Sequence, residues 1–134
     1  MVSKYCRWRR TLYQNISISN GRHIMDIYHI WADKSGDISD SVWVANMKTF
    51  LDHLKTEGKM ESYRVTRCKM GFRSIQDMPE WHIMMEFKDM AQLDDAFKRV
   101  APLEGELEVK HQSFNQFVKG NIQHALFRDW PDEL

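Results

Sequence analysis

Cysteine, proline and glycine are all scarce in this chain of 134 residues, at two, three and six. Two cysteines close at most one disulfide, so a crosslinked scaffold is excluded. Cys6 and Cys68 also lack the CxxC or CxxH spacing of a zinc site. Free thiols in a reducing cytoplasm are the expectation. No glycine-rich phosphate loop, G-x-S-x-G elbow or paired-carboxylate motif occurs. No apolar run approaches the roughly 18 residues of a membrane span, so a soluble chain without a membrane partner is expected. The basic opening MVSKYCRWRR lacks the apolar centre of an export signal. What remains is the composition of an ordinary globular domain, 43% apolar and 28% charged, and long enough to bury a core without staples.

Net charge is absent too, with 19 basic and 19 acidic residues, but the balance hides an asymmetry. Residues 1–24 hold Lys4, Arg7, Arg9, Arg10 and Arg22 and no acid; removing these five bases leaves the remainder at −5. An acidic body offers no general attraction to nucleic acid or anionic membrane. Three readings of the head stay open: a binding arm, an extension ahead of a natural start at Met25, or a hairpin. In the hairpin, LYQNISIS would pair with HIMDIYHIW across the turn signal Asn20-Gly21. The domain proper is expected over residues 25–132.

Residues 25–33, MDIYHIWAD, read as a first strand. Ser39, Asp40 or Ser41 can cap a helix whose apolar stripe is Trp43, Met47, Phe50, Leu51 and Leu54, with Gly58 as its left-handed stop. MESYRVTRCKMGF has the texture of an edge strand, and EWHIMMEF reads as the next. Asp89 caps a second helix with the stripe Met90, Leu93, Phe97 and Val100, ended by Pro102. Leu103, Leu107, Phe114, Phe117 and Val118 mark a third helical segment, interrupted by Gly105, and NIQHALFRD closes the chain as a strand.

The order β-α-β-β-α-(α)-β, with right-handed crossovers, predicts a ferredoxin-like α+β sandwich. Its antiparallel sheet runs 4-1-3-2, with helices on one face and an extra helix before the last strand. Side chains alternate along a strand. If Tyr28, Ile30, Ile83, Met85 and Phe87 pack on the helices, the other face carries Ile27, His29, Trp31, His82, Met84, Leu126 and His124. That surface is too apolar to leave wet, and a second copy of the chain is its simplest cover.

The βαββαβ order, the inserted helix and the ending ALFRDWPD (Ala125–Asp132) resemble the dimeric α/β-barrel superfamily. More particularly, they resemble a small set of mostly bacterial, functionally uncharacterised members of it. The resemblance covers residues 25–132. It implies a homodimer with two sheets face to face, and a ligand pocket between each sheet and its helices or loops. Across the superfamily it implies cofactor-free monooxygenases, haem-handling enzymes, peroxidases, isomerases and ligand sensors. RNA-recognition domains share the topology, but His82 and Met84 stand where their aromatic platform would be, and Pro79-Glu80 replaces the basic, glycine-bearing lead-in.

The imidazoles of His29, His82 and His124, on strands 1, 3 and 4, are the groups with chemistry to offer. They could hold Zn²⁺, Cu²⁺ or Fe²⁺ with help from Glu86, although no HxH or HExxH spacing supports a metal. Alternatively His29 and His82 could act as acid–base groups in cofactor-free catalysis, with Trp31, Met84, Glu86 and His124 lining the ligand; or all could pack an interface. Tyr63, Arg64 and Arg67 could reach an anion or merely guard a sheet edge. Arg128 and Asp129 could form an ion pair fixing the C-terminus. His53 and His111, on amphipathic helices, read as solvent-facing. The expectation is a homodimer binding a small apolar or aromatic ligand, with no cofactor and no resident metal. Monooxygenase or isomerase chemistry is one outcome for it, and a non-catalytic sensing or interaction module the alternative.

A chain begun at Met25 is expected to melt within a few degrees of the full-length protein. A loss of several kcal/mol in denaturant unfolding would instead make the Asn20-Gly21 hairpin part of the fold.

Overall fold

The structure, a computed structural model, describes residues 23–131. The Asn20-Gly21 hairpin and the basic head therefore lie outside the described residues. In chain order the elements are β1 (Asp26–Lys34), α1 (Asp40–Thr56), β2 (Ser62–Arg67), a short 3₁₀ turn (Lys69–Gly71), β3 (Trp81–Phe87), α2 (Met90–Val100), α3 (Gly105–Asn115) and β4 (Val118–Arg128). The strands form one antiparallel sheet in the order β2-β3-β1-β4. This is the ferredoxin-like α+β arrangement the element order predicts, with the extra helix before the last strand. Among the described residues no helix is long and apolar enough to cross a membrane.

Helix α1 forms where its stripe and caps agree. The Ser39 hydroxyl accepts the Val42 N–H, and Trp43, Met47, Phe50, Leu51 and Leu54 are all buried. Past Glu57 the chain turns through Gly58 at φ 72°, a conformation glycine adopts without a Cβ clash. The Trp43 indole, fully buried, donates to the Phe114 carbonyl at 3.0 Å, and the Asn46 amide donates to the Ser113 carbonyl at 3.0 Å. These bonds tie α1 to α3. Against them packs the apolar side of the sheet, with Trp81, Ile83, Met85 and Phe87 all buried.

The two later helices differ from their predicted stripes. Asp89 caps α2 as expected, accepting from the Gln92 N–H at 2.8 Å. The face turned inward, however, is Gln92, Leu93 and Ala96, while Met90 and Phe97 are 44% and 50% exposed. Gln92 sets this phase. Its amide donates to the Gly58 carbonyl and to Glu61, and its oxygen accepts the Lys88 N–H, so a buried polar side chain is satisfied three ways. Phe97 instead lies edge-on to Tyr28 at 5.3 Å. Helix α3 starts at Gly105, which opens the helix where an interruption was expected. Leu103 at φ 51° and Gly105 at φ 76° have left-handed backbone, so the right-handed turns of the helix can run only onward from Gly105, and Leu103 is left exposed.

At the far end of the sheet the buried Asp26 accepts from Arg128, its cross-strand neighbour, at 2.7 Å through Nε and 3.3 Å through a terminal nitrogen. Asp129 accepts the Met25 N–H at 3.0 Å and returns its own N–H to the Met25 carbonyl. The expected Arg128–Asp129 ion pair is thus replaced by two separate clamps onto the start of β1. The reason is strand alternation, which sends neighbouring side chains to opposite sides.

The phase of α2 is testable. Leu93→Ala should cost about 2–5 kcal/mol in denaturant unfolding, as a buried large-to-small change does. Met90→Ala should stay within about 0.5 kcal/mol, as at a surface site. Equal costs would restore the stripe read from the sequence.

Candidate functional site

The open face of the sheet can be read off the strand register. Trp31 lies opposite His82 on β3 and Gln123 on β4, and His82 lies opposite Thr66 on β2. The next row is Ala125, His29, Met84 and Arg64, and the third is Phe127, Ile27, Glu86 and Ser62. Two predicted site residues therefore meet directly. His29 Nδ1 and His82 Nε2 are 2.8 Å apart, with ring centroids at 5.1 Å and planes within 15°, the arrangement of an in-plane N–H···N bond. Trp31 runs parallel to both rings, at 4.7 Å from His82 and 5.5 Å from His29. Met84 sits beside them in the neighbouring row. Glu86 is one step further along β3 and accepts from the Ser62 hydroxyl.

One proton joins the two imidazoles, so the pair loses its bond if both rings are protonated. Burial pushes the His29 ring below the usual histidine range. Burial first, then the neighbouring His29 charge, does the same to His82.

His124 is not part of this group. It lies opposite Ile30, on the helix side, with its ring 5.8 Å from Tyr28, and Leu126 lies opposite Tyr28 on that same side. Three histidines on one face, and a metal site built from them, are therefore corrected to two. The cause is that β4 is apolar on both faces, with Leu126 and Phe127 adjacent, so its own pattern does not set its parity. The Asp26–Arg128 pair does, and it puts Phe127 on the open face instead. Phe127 was missed from the sequence; it meets the edge of His29 at 4.9 Å and is 56% exposed. The charge complementarity of Asp26 and Arg128 was the signal that could have found it. Among the described residues no three His, Cys, Asp or Glu side chains converge as metal ligands.

A cavity of about 160 Å³ lies on the other side of the sheet, beneath α1 and α3. Its floor is Ile30, Ala32, Ile83 and Met85, and Trp43 and Phe50 wall it. It reaches solvent near Asn115 and Ile122, which are exposed. Opposite Ala32, the pairing jumps from Trp31–Gln123 to Asp33–Lys119, so β4 spends two extra residues there and brings Ile122 to the cavity. His111 lines it as well. Its ring sits 5.1 Å from Phe50 and 5.6 Å from Phe114, and Nδ1 lies 3.2 Å from Glu108 Oε2. The solvent-facing expectation for His111 is thereby corrected; His53, partly exposed, lies between Glu57 and Lys110 at 3.0 and 2.9 Å.

A wider groove of about 410 Å³ runs along β2 and α1, past Lys48, Asp52, Tyr63 and Arg64. Its polar groups are partly committed. Tyr63 donates to Asp52, and burial, followed by that carboxylate, pushes its phenol up to about 12. Arg67 is held by Glu80 and Asp40. Cys68 is a half-buried free thiol.

Residues 25–134 match a family described as a family of unknown function (DUF6614), and the chain belongs to it. No curated protein matches the sequence. Among solved structures, the chain is similar to a dimeric ferredoxin-like protein of unknown function from Jannaschia sp. CCS1. The identity is 15% and the TM-score 0.56, over 77% of this chain and 97% of that one. A dimeric ferredoxin-like protein of unknown function from Thermobifida fusca YX is similar at 7% identity and a TM-score of 0.52, over 81% and 94% of the two chains. SnoaB, a cofactor-independent oxygenase from Streptomyces nogalater, is similar at 10% identity and a TM-score of 0.50, over 83% and 100%. At these identities the likeness establishes the fold.

The imidazole pair has a pH signature. Both rings bind a proton less readily folded than unfolded, so in the window below the usual histidine value of about 6.5 the unfolded chain holds more protons. The stability this contributes is complete above that window and is lost as the pH falls through it. Urea unfolding at pH 7 and 5 should therefore show a larger loss in the wild type than in the double variant His29→Gln, His82→Gln. An identical loss in both would disprove the linkage.

Proposed function

We propose that this family member is a homodimer, joined through its open sheet faces, that holds a small apolar or aromatic ligand in the cavity between sheet and helices. The cavity carries this reading. At about 160 Å³ it matches the volume of roughly 150 Å³ at which a dry engineered cavity takes up benzene. Its walls are hydrocarbon and aromatic, interrupted by few polar groups, the usual makeup of a small-molecule site.

Dimerisation is supported by the second face. Ile27, Trp31 and Met84, all partly exposed, and the half-exposed Phe127 form an apolar surface on the side of the sheet away from the helices. The similar proteins from Jannaschia and Thermobifida are themselves described as dimeric. Within a dimer His29 and His82 would sit between the sheets, with Trp31, Met84 and Glu86 around them. Their shared proton and depressed basicity keep a neutral imidazole available as an acid–base group at neutral pH. SnoaB lends the reading its chemical precedent, a cofactor-independent oxygenase on this fold. A reducing cytoplasm suits the free Cys68 thiol. The second reading, a ligand-binding module without turnover, draws on the separation of the histidine pair from the cavity by the thickness of the sheet.

Native mass spectrometry and melting curves together test the proposal. Wild type should weigh as a dimer at micromolar concentration, and Trp31→Glu, which buries a carboxylate in the interface, as a monomer. Benzene should raise the melting temperature of wild type by mass action but not that of Ala32→Leu, in which the added side chain fills the cavity. A monomeric wild type would overturn the assembly. An equal benzene shift in Ala32→Leu would overturn the binding site.

A further inference from the structure

We infer that the ligand of the cavity is a single-ring aromatic hydroxyl compound of the phenol type, and that His111 recognises its hydroxyl. This rests on the cavity being a binding site and adds what it selects. Of the polar groups in the lining, the Trp43 indole is already committed to the Phe114 carbonyl at 3.0 Å. That leaves His111 and Asn115, four residues apart on α3 and therefore on one face of the helix.

The Glu108 carboxylate fixes how His111 presents itself. An ionised carboxylate can only accept, so at 3.2 Å the proton between them belongs to Nδ1. In the neutral ring Nε2 is then a bare acceptor. It has no hydrogen-bond partner among the described residues, and it is not sealed away, because no buried side-chain nitrogen or oxygen there lacks a partner. Phe50 and Phe114 hold the ring from two sides. An acceptor on a ring that lines a largely apolar chamber fits a donor on the ligand, and Asn115 is the other uncommitted polar side chain in the described lining. Among the described residues no lysine or arginine lines the cavity, so these walls would strip a carboxylate ligand of its hydration without offering a cationic partner. A phenolic hydroxyl donates to Nε2, leaves no charge buried, and carries a ring of the size the chamber accepts.

Glu108 is in this reading a positioning residue. A glutamine in its place could donate to Nδ1 through its amide, which would move the proton to Nε2 and abolish the acceptor.

Calorimetric titration of the full-length protein with phenol and with toluene, shape-matched and lacking the donor, separates the possibilities. Wild type should prefer phenol by up to about tenfold, the worth of one neutral hydrogen bond. His111→Phe should keep toluene binding and lose the preference, and Glu108→Gln should lower the preference without weakening toluene. In the unmodified protein, the His111 Nε2 ¹⁵N resonance should shift on adding phenol and stay in place with toluene, a readout that needs no variant. Toluene binding without a phenol preference, a preference that survives His111→Phe, or an unmoved Nε2 resonance would each overturn the inference and leave the binding site standing. Failure of both compounds to bind wild type would overturn the site itself.

Discussion

β1 is hydrogen-bonded along both edges, and successive side chains of a strand point to opposite faces, so it has to serve two environments at once. Ile30 and Ala32 help floor a chamber under the helices, while Ile27, His29 and Trp31 face away from them. β3 repeats the division, with Trp81, Ile83, Met85 and Phe87 inward and His82, Met84 and Glu86 outward. The register between these two strands decides the chemistry of the open face. It brings Trp31 opposite His82 and His29 opposite Met84, and so sets the imidazoles where one proton can join them.

That register explains which parts of the molecule were legible beforehand. Strong, one-sided patterns were readable. The stripe of α1 and the alternation of WHIMMEF define their buried faces without help, and the caps Ser39 and Asp89 act as written. Elements whose orientation depends on a distant partner were not. Phe97 and Met90 look like core residues until Gln92 finds two bonds in the segment after α1 and a third at Lys88, and rotates α2 away from them. His124 looks like a companion of His29 until Asp26 and Arg128 fix the parity of β4. Topology led to the expectation of His29 and His82 on one face of neighbouring strands, but their direct bond depends on register; the cavity and the orientation of His111 by Glu108 arise from three-dimensional packing, and helix periodicity alone gave no hint of them.

Several buried or partly buried polar groups of this domain act as bridges. Trp43 and Asn46 join α1 to α3, Gln92 joins α2 to the end of α1, and Asp26 joins β1 to β4. Each satisfies a group that would otherwise cost free energy to bury, and each specifies an orientation that hydrophobic packing leaves degenerate. The apolar core supplies cohesion, and these few bonds decide which of several cohesive arrangements is formed.

The two extra residues of β4 opposite Ala32 have a consequence for how the chain can vary. An insertion of one residue would turn every side chain beyond it to the wrong side, whereas an insertion of two is invisible to the alternation. Asp33 still meets Lys119 and Trp31 still meets Gln123, so both faces keep their identities across the interruption. This makes the segment at Gly120 and Asn121 a natural site for length polymorphism in even steps. A shortened or lengthened descendant could resize the chamber mouth beside Ile122 while inheriting the paired histidines and the helix-covered core unaltered.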